Sequence, residues 1–163
     1  MEWYTAPMKI DLIYGTNSSG TAMVAEIIAE ALRTGKHQMT VRHARDVSAV
    51  TIGRAPLTIL GSCTWERIVG GKKLEGQLQY HMFRLATSLR KRRLTDYQFA
   101  LFALGDSSYS LFCHAADELE QLVVDIGAQQ IVPTLRIDGW FFNQPANEQR
   151  VRRWAEHLKS TIV

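Results

Sequence analysis

The chain has 163 residues, 46% of them hydrophobic, enough for one domain with a sizeable core. Its formal net charge is +3, and no apolar run approaches the roughly 20 residues that a membrane-spanning helix requires. The first residues carry Glu2 and no apolar stretch, unlike a signal peptide, and the two cysteines and five histidines show no metal-ligand spacing, so the expected setting is reduced and cytoplasmic.

Residues 1–7 read as a short tail and 8–163 as a single domain. Residues 8–13 read as a buried strand. From 22 to 33, apolar residues recur at 24, 27, 28, 31 and 32, the face of a helix that Gly35 ends. Residues 39–43 alternate and suit a strand towards the sheet edge. A short apolar strand follows at 57–60. The spacing of apolar residues at 74, 78, 82, 85 and 89 predicts a helix over 74–89. Residues 99–104 are wholly apolar, a central strand. A helix is predicted over 115–126 with Gly127 as its stop, then a strand over 130–137 and a closing amphipathic helix over 148–162. Five strands alternating with helices imply a parallel sheet covered on both faces. In such sheets ligands bind at the carboxyl ends of the strands, which singles out the loops 15–21, 61–70 and 105–112.

The first of these loops holds Thr16, Asn17, Ser18, Ser19, Gly20 and Thr21 between a strand and a helix. Helix-start N–H groups lack internal partners and the helix dipole favours an anion there, so hydroxyl-rich neutral donors suit a phosphate. The loop has no lysine for a P-loop and no spaced triple glycine for a dinucleotide. The second loop, Gly61-Ser62-Cys63-Thr64-Trp65, offers a tryptophan face for a flat aromatic ligand. The third, Leu104-Gly105-Asp106-Ser107-Ser108-Tyr109, offers a second aromatic face. Its Asp106 can accept from a ring N–H, and its serines can cap the following helix. No nucleophile–base–orienter set is recognisable, which suits a carrier rather than a hydrolase.

These three loops, with Phe112-Cys113 and the segment Leu135-Arg136-Ile137-Asp138-Gly139, give the chain its resemblance to the flavodoxin family over roughly residues 8–162. The resemblance implies a doubly wound α/β fold with a five-stranded parallel sheet in the order 2-1-3-4-5. It implies noncovalent FMN and one-electron transfer between a reductase and an acceptor. An FMN-dependent quinone-type oxidoreductase and a binding protein that has lost its flavin are the rival readings. By the same resemblance Thr16 to Thr21 hold the phosphate, and Ser62, Cys63 and Thr64 approach the ribityl chain and ring. Trp65 and Tyr109 flank the isoalloxazine, while Leu104, Gly105 and Asp106 line its pyrimidine edge. Glu66, Phe112 and Cys113 complete the expected site.

The chain departs from the family in several places. Gly20 stands where the phosphate loop usually has asparagine, which removes a side-chain donor. Glu66 and Arg67 follow the tryptophan in place of a glycine and an acidic residue, and the segment beyond is longer. Arg67 and the basic surface are therefore expected to ease the last reduction step of the flavin. Lys72, Lys73 and 90–93 are expected to meet an acidic docking surface on a redox partner protein. Nucleic acid is disfavoured because no aromatic residues interleave with these cations. The expected protein is a monomer.

Overall fold

The computed structural model describes residues 6–162; residues 1–5 of the expected tail, and Val163, lie outside them. A parallel sheet forms from β1 (Lys9–Gly15), β2 (Gln38–His43), β3 (Leu57–Val69), β5 (Gln98–Gly105) and the short β6 (Gln129–Gln130) and β7 (Leu135–Asp138). β4 (Lys72–Leu78) pairs antiparallel with the outer half of β3. The order is β2-β1-β3-β5, with β6 and β7 both beyond β5. β6 and β7 make one edge strand interrupted where Val132-Pro133 intervenes, since proline has no N–H for the ladder. With those two taken as one and the hairpin strand set apart, the parallel order is 2-1-3-4-5, as the resemblance implies.

Four helices cover the sheet: α1 (Gly20–Thr34), α2 (Tyr80–Leu89), α3 (His114–Asp125) and α4 (Gln144–Thr161). Ile10, Leu12, Leu57, Ile59 and Phe102 pack with Val24, Ile28 and Leu32 of α1 and Val151 and Leu158 of α4. Ile13, Leu60, Phe99 and Leu101 point the other way, onto Met82, Leu85 and Leu89 of α2 and Leu119 and Leu122 of α3. Period-two alternation of buried residues along central strands is what wraps both faces. β2 lies at the sheet edge, as its alternation predicts. α1 ends at Gly35 and the α3 turn closes at Gly127, whose φ of 71° suits glycine.

One predicted helix is wrong in its first part. Residues 74 and 78 belong to β4, and α2 starts only at Tyr80. The stretch 61–70 is likewise not an irregular loop. β3 runs on through Val69, and Gly70 and Gly71, at φ 58° and 77°, turn it into the hairpin. Two adjacent glycines between strand-like runs are a hairpin signal, because both turn residues need positive φ.

Candidate functional site

The segments that follow β1, β5 and β7, with the β3–β4 hairpin, surround one cavity of about 440 Å³. Trp65 and Tyr109 line it and are 51% and 68% exposed, so neither is a core residue. Leu104, Leu111, Trp140, Phe141 and Phe142 add apolar wall. Among the described residues the charged ones that line it are Glu66, Glu75 and Asp106; no lysine or arginine does. A basic protein thus has an acidic mouth, the reverse of the electrostatic setting expected from its net charge.

Ser18, Gly20 and Thr21 reach the cavity from the loop after β1. Ser19, the N-cap of α1, sits in the left-handed region at φ 63° and makes no side-chain cap bond. The helix-start N–H groups are therefore left for another acceptor. Among the described residues the hydroxyls of Thr16 and Thr21 are buried without a hydrogen-bond partner. A buried unpaired donor costs roughly 1–3 kcal/mol, so this donor set fits an anion with several acceptor oxygens. Asn17 does not line the cavity; its Oδ1 accepts from Gln79 Nε2 at 3.4 Å. Gln79 also caps α2, its Oε1 accepting from the N–H groups of His81 (2.9 Å) and Met82 (3.2 Å). Gln79 thus ties the phosphate loop to α2, a positioning role the sequence alone did not reveal. Behind the loop, Tyr14, His43 and His81 stack edge to face in sequence, each pair at 5.4 Å. Burial, then the charges of Arg45 and His81, hold the His43 imidazole below its usual range.

On β3, Cys63, Thr64, Trp65 and Glu66 line the cavity. Burial pushes the Cys63 thiol up, which favours its neutral form in the lining. Ser62 is a correction: it is fully buried, its hydroxyl donating to the Cys63 carbonyl (2.8 Å) and accepting from Gln79 N–H (3.0 Å), and it does not line the cavity. Between Trp65 and Arg67 the register shifts, with Glu75 and Gly76 opposing Glu66. Gly76, at φ 67°, makes this bulge, and its carbonyl accepts from His114 Nδ1–H at 2.9 Å, which docks the hairpin on α3. Glu66 pairs with Lys73 across the hairpin at 2.5 Å. Arg67 turns away from the cavity. Its guanidinium lies 3.4 Å over the Phe83 ring of α2 and donates to Gln77 at 3.0 Å, so it does not replace an acidic neighbour of the ligand.

After β5, Leu104, Gly105, Asp106 and Tyr109 line the cavity. Asp106 Oδ1 accepts from the Ser108 hydroxyl (2.6 Å) and the Ser108 N–H (2.8 Å), which hold this carboxyl below the usual carboxylate range. Ser107 N–H donates to Asp138 Oδ1 at 2.9 Å. These two serines shape the loop and do not cap α3, whose N-cap is Cys113 at φ 52°. Phe112 and Cys113 do not line the cavity. Cys113 is buried behind Gly105, its thiol donating to the Ala103 carbonyl at 3.3 Å, and burial pushes it up to about 11.

Of the expected site residues, Ser18, Gly20, Thr21, Cys63, Thr64, Trp65, Glu66, Leu104, Gly105, Asp106 and Tyr109 come together around the cavity. Thr16, Asn17, Ser19, Ser62, Phe112 and Cys113 stand outside its lining, the first three within the loop that frames the anion cradle. Not foreseen are Glu75, Gly76 and Leu111, and the turn Gly139, Trp140, Phe141 and Phe142 after β7. Gly139 N–H donates to the Gly105 carbonyl at 2.9 Å, which brings that turn beside the third loop.

A doubly wound α/β domain with a neutral anion cradle and aromatic walls at the strand carboxyl ends belongs among proteins that bind a phosphorylated planar ligand. The family model described as Flavodoxin matches residues 12–154. The chain is 33% identical over 130 residues to a flavodoxin of Nitratidesulfovibrio vulgaris, covering 78% of this chain and 83% of that protein. Among solved structures, oxidised flavodoxin 2 of Bacillus cereus superposes with a TM-score of 0.79 at 25% identity, over 91% of this chain and 95% of that one. A Fusobacterium nucleatum flavodoxin bound to flavin mononucleotide superposes at 0.75 with 19% identity, over 94% and 98%, a likeness of fold. The chain belongs to the flavodoxin family.

Proposed function

We propose that this protein binds FMN noncovalently and carries electrons between redox partner proteins. The observation that supports this most is the cavity lined by Trp65 and Tyr109 beside the unpaired donors at the start of α1. Ser18, Gly20 and Thr21, with Thr16 behind them, would hold the phosphate. Cys63 and Thr64 would line the ribityl path, Trp65 and Tyr109 the flat ring, and Gly105 and Asp106 its polar edge. When bound, the isoalloxazine supplies the redox chemistry, and the protein sets its environment. Glu66, Glu75 and Asp106 oppose further negative charge in the cavity by Coulomb repulsion.

An acidic docking face on the partner is the finer part of the proposal. It rests on the net charge of +3 and on exposed Lys72, Lys91 and Arg93. Three other cations are engaged within the protein. Lys73 pairs with Glu66, Arg90 with Asp125 at 3.1 Å, and Arg92 donates to the Ala49 and Ile52 carbonyls, each at 2.6 Å. Among the described residues no helix is long and apolar enough to cross a membrane. The test is the mass and absorption spectrum of cofactor released from purified protein, or acquired on reconstitution. FMN at one per chain is expected; a protein that stays colourless with added FMN sinks the reading.

A further inference from the structure

We infer that the indole N–H of Trp140 is a hydrogen-bond donor to the flavin phosphate, standing where Gly20 offers no side-chain donor of its own. The inference rests on the FMN reading and adds to the cradle a residue from the turn after β7.

Trp140 lines the cavity but is only 3% exposed, and its Nε1 is buried without a partner among the described residues. An indole N–H can only donate, so it needs an acceptor that the described residues do not supply. Its location is fixed by Gly20. A Cβ built there would meet Trp140 Cδ1 at 3.2 Å, with Leu104 Cδ2 and Phe141 Cε2 each at 3.3 Å. Cδ1 is bonded to Nε1, so the N–H edge of the ring lies against the first residue of α1. Gly20 has no positive φ, so it is the space, taken by this ring edge, and not the backbone, that favours glycine here.

The same place collects other donors without acceptors. Thr21, in the first turn of α1, is 1% exposed, and among the described residues neither its Oγ1 nor the buried Thr16 hydroxyl has a partner. The α1 start adds backbone N–H groups and the positive end of its dipole. A phosphate carries no donor when ionised and has enough oxygens to satisfy this set. Neutral donors suffice, which agrees with the absence of lysine and arginine from the lining. Trp140 is also held in position. The buried Asn147 of α4 directs its Nδ2 to the carbonyls of Asp138 (3.3 Å), Gly139 (3.2 Å) and Trp140 (3.4 Å). The indole thus serves as an anchored donor at the phosphate end, distinct from the exposed stacking faces Trp65 and Tyr109.

FMN and riboflavin differ only by the phosphate, so comparing them isolates this contact. Apoprotein is titrated with each flavin by fluorescence quenching, in the wild type and in Trp140→Phe. The variant is expected to weaken FMN binding about tenfold or more and to leave riboflavin binding within about twofold. Equal losses for both flavins, or no loss for either, overturn the inference and leave the FMN reading intact. A second measurement needs no variant. Inorganic phosphate titrated into wild-type apoprotein should shift the Trp140 indole N–H resonance downfield and saturably. A resonance that stays in place overturns the inference even if the variant fails to fold. Wild-type protein that takes up neither flavin refutes the FMN reading itself, while the phosphate titration still decides whether Trp140 donates to an anion.

Discussion

Gly61→Ala should be among the most damaging single-methyl changes in this chain. Gly61 lies opposite Phe102 in the β3–β5 ladder, and a Cβ built there would overlap the Cζ, Cε1 and Cε2 atoms of the Phe102 ring. Phe102 is fully buried among Ile10, Leu12, Ile28 and Trp140, so the ring has nowhere to swing. Either the ring or the two central strands must move, at a cost of about 3 kcal/mol, the upper end of overpacking penalties. Leucine keeps the Cγ and two Cδ positions of phenylalanine and lacks the three overlapped atoms. Phe102→Leu alone should cost about 1–2 kcal/mol for the cavity it leaves. In the Gly61→Ala background the same change removes the overlap and fills its own cavity. The double variant should then be more stable than Gly61→Ala alone, with a coupling of about 2 kcal/mol or more. Urea unfolding of the four apoproteins reads this directly. With a slope of about 2 kcal/mol per molar, Gly61→Ala should lower the midpoint by about 1.5 M and the double variant should recover roughly half. Losses that add to within about 0.5 kcal/mol would show that the ring does not contact position 61 as described.

The remaining expectations concern the site and its charges. Trp65→Ala and Tyr109→Ala should each weaken FMN by ~1–3 kcal/mol through lost burial and stacking, measured by flavin fluorescence titration; unchanged affinity would remove that residue from the ring wall. Glu66→Gln and Glu75→Gln should each raise the potential of the last reduction step by about 20–40 mV, from ~0.5–0.8 kcal/mol of repulsion at roughly 10 Å and an effective dielectric constant of about 40–60. Arg67→Gln should leave the potentials unchanged and lower stability by about 1–2 kcal/mol, because its guanidinium stacks on Phe83 and not on the ligand. A potential that moves with Arg67 and not with Glu66 or Glu75 would reverse this assignment. The folded-state pKa of Cys113 is raised from 9.0 to about 11, so its stabilising contribution is complete below pH 9 and is lost as pH rises towards 11. The urea midpoint should therefore fall across that window, and Cys113→Ala should flatten the fall; an equal slope in both proteins would contradict it.

The sheet and its loops were legible because their signals are local. The run at 99–104 has no polar residue to turn outward, β1 keeps Ile10, Leu12 and Ile13 buried around the polar Lys9 and Asp11, and Gly35 and Gly127 mark helix ends by backbone freedom. Residues 74 and 78 misled because a four-residue spacing fits both a helical face and two same-side positions on a strand. Only the Gly70-Gly71 pair separates the two cases. Arg67 was misplaced for a related reason. Closeness to Trp65 in the chain does not bring the long Arg67 side chain to the cavity, because its guanidinium finds Phe83 of α2 and Gln77 instead. Trp140 and Glu75 carry no motif at all. They reach the cavity through long-range contacts, Gly139 to Gly105 and Gly76 to His114, that no window of sequence contains. Phe112 and Cys113 show the converse error, since closeness to Tyr109 in the chain does not place them on the same side of Gly105.

The acidic mouth on a cationic protein makes the molecule's electrical identity a matter of range. At low ionic strength the Debye length reaches about 30 Å, and an approaching partner feels the whole chain, a positive object. At physiological salt the length shrinks to about 8 Å, and a partner at the mouth feels mainly Glu75, Asp106 and the Glu66–Lys73 pair, a set that stays net negative. The sign of the potential that a partner meets therefore changes with distance and with salt. Acidic partners gain from the far field and lose at contact, whereas basic partners are held off and then welcomed. Two candidate partners of opposite charge, ranked by association rate, should exchange places as salt is raised.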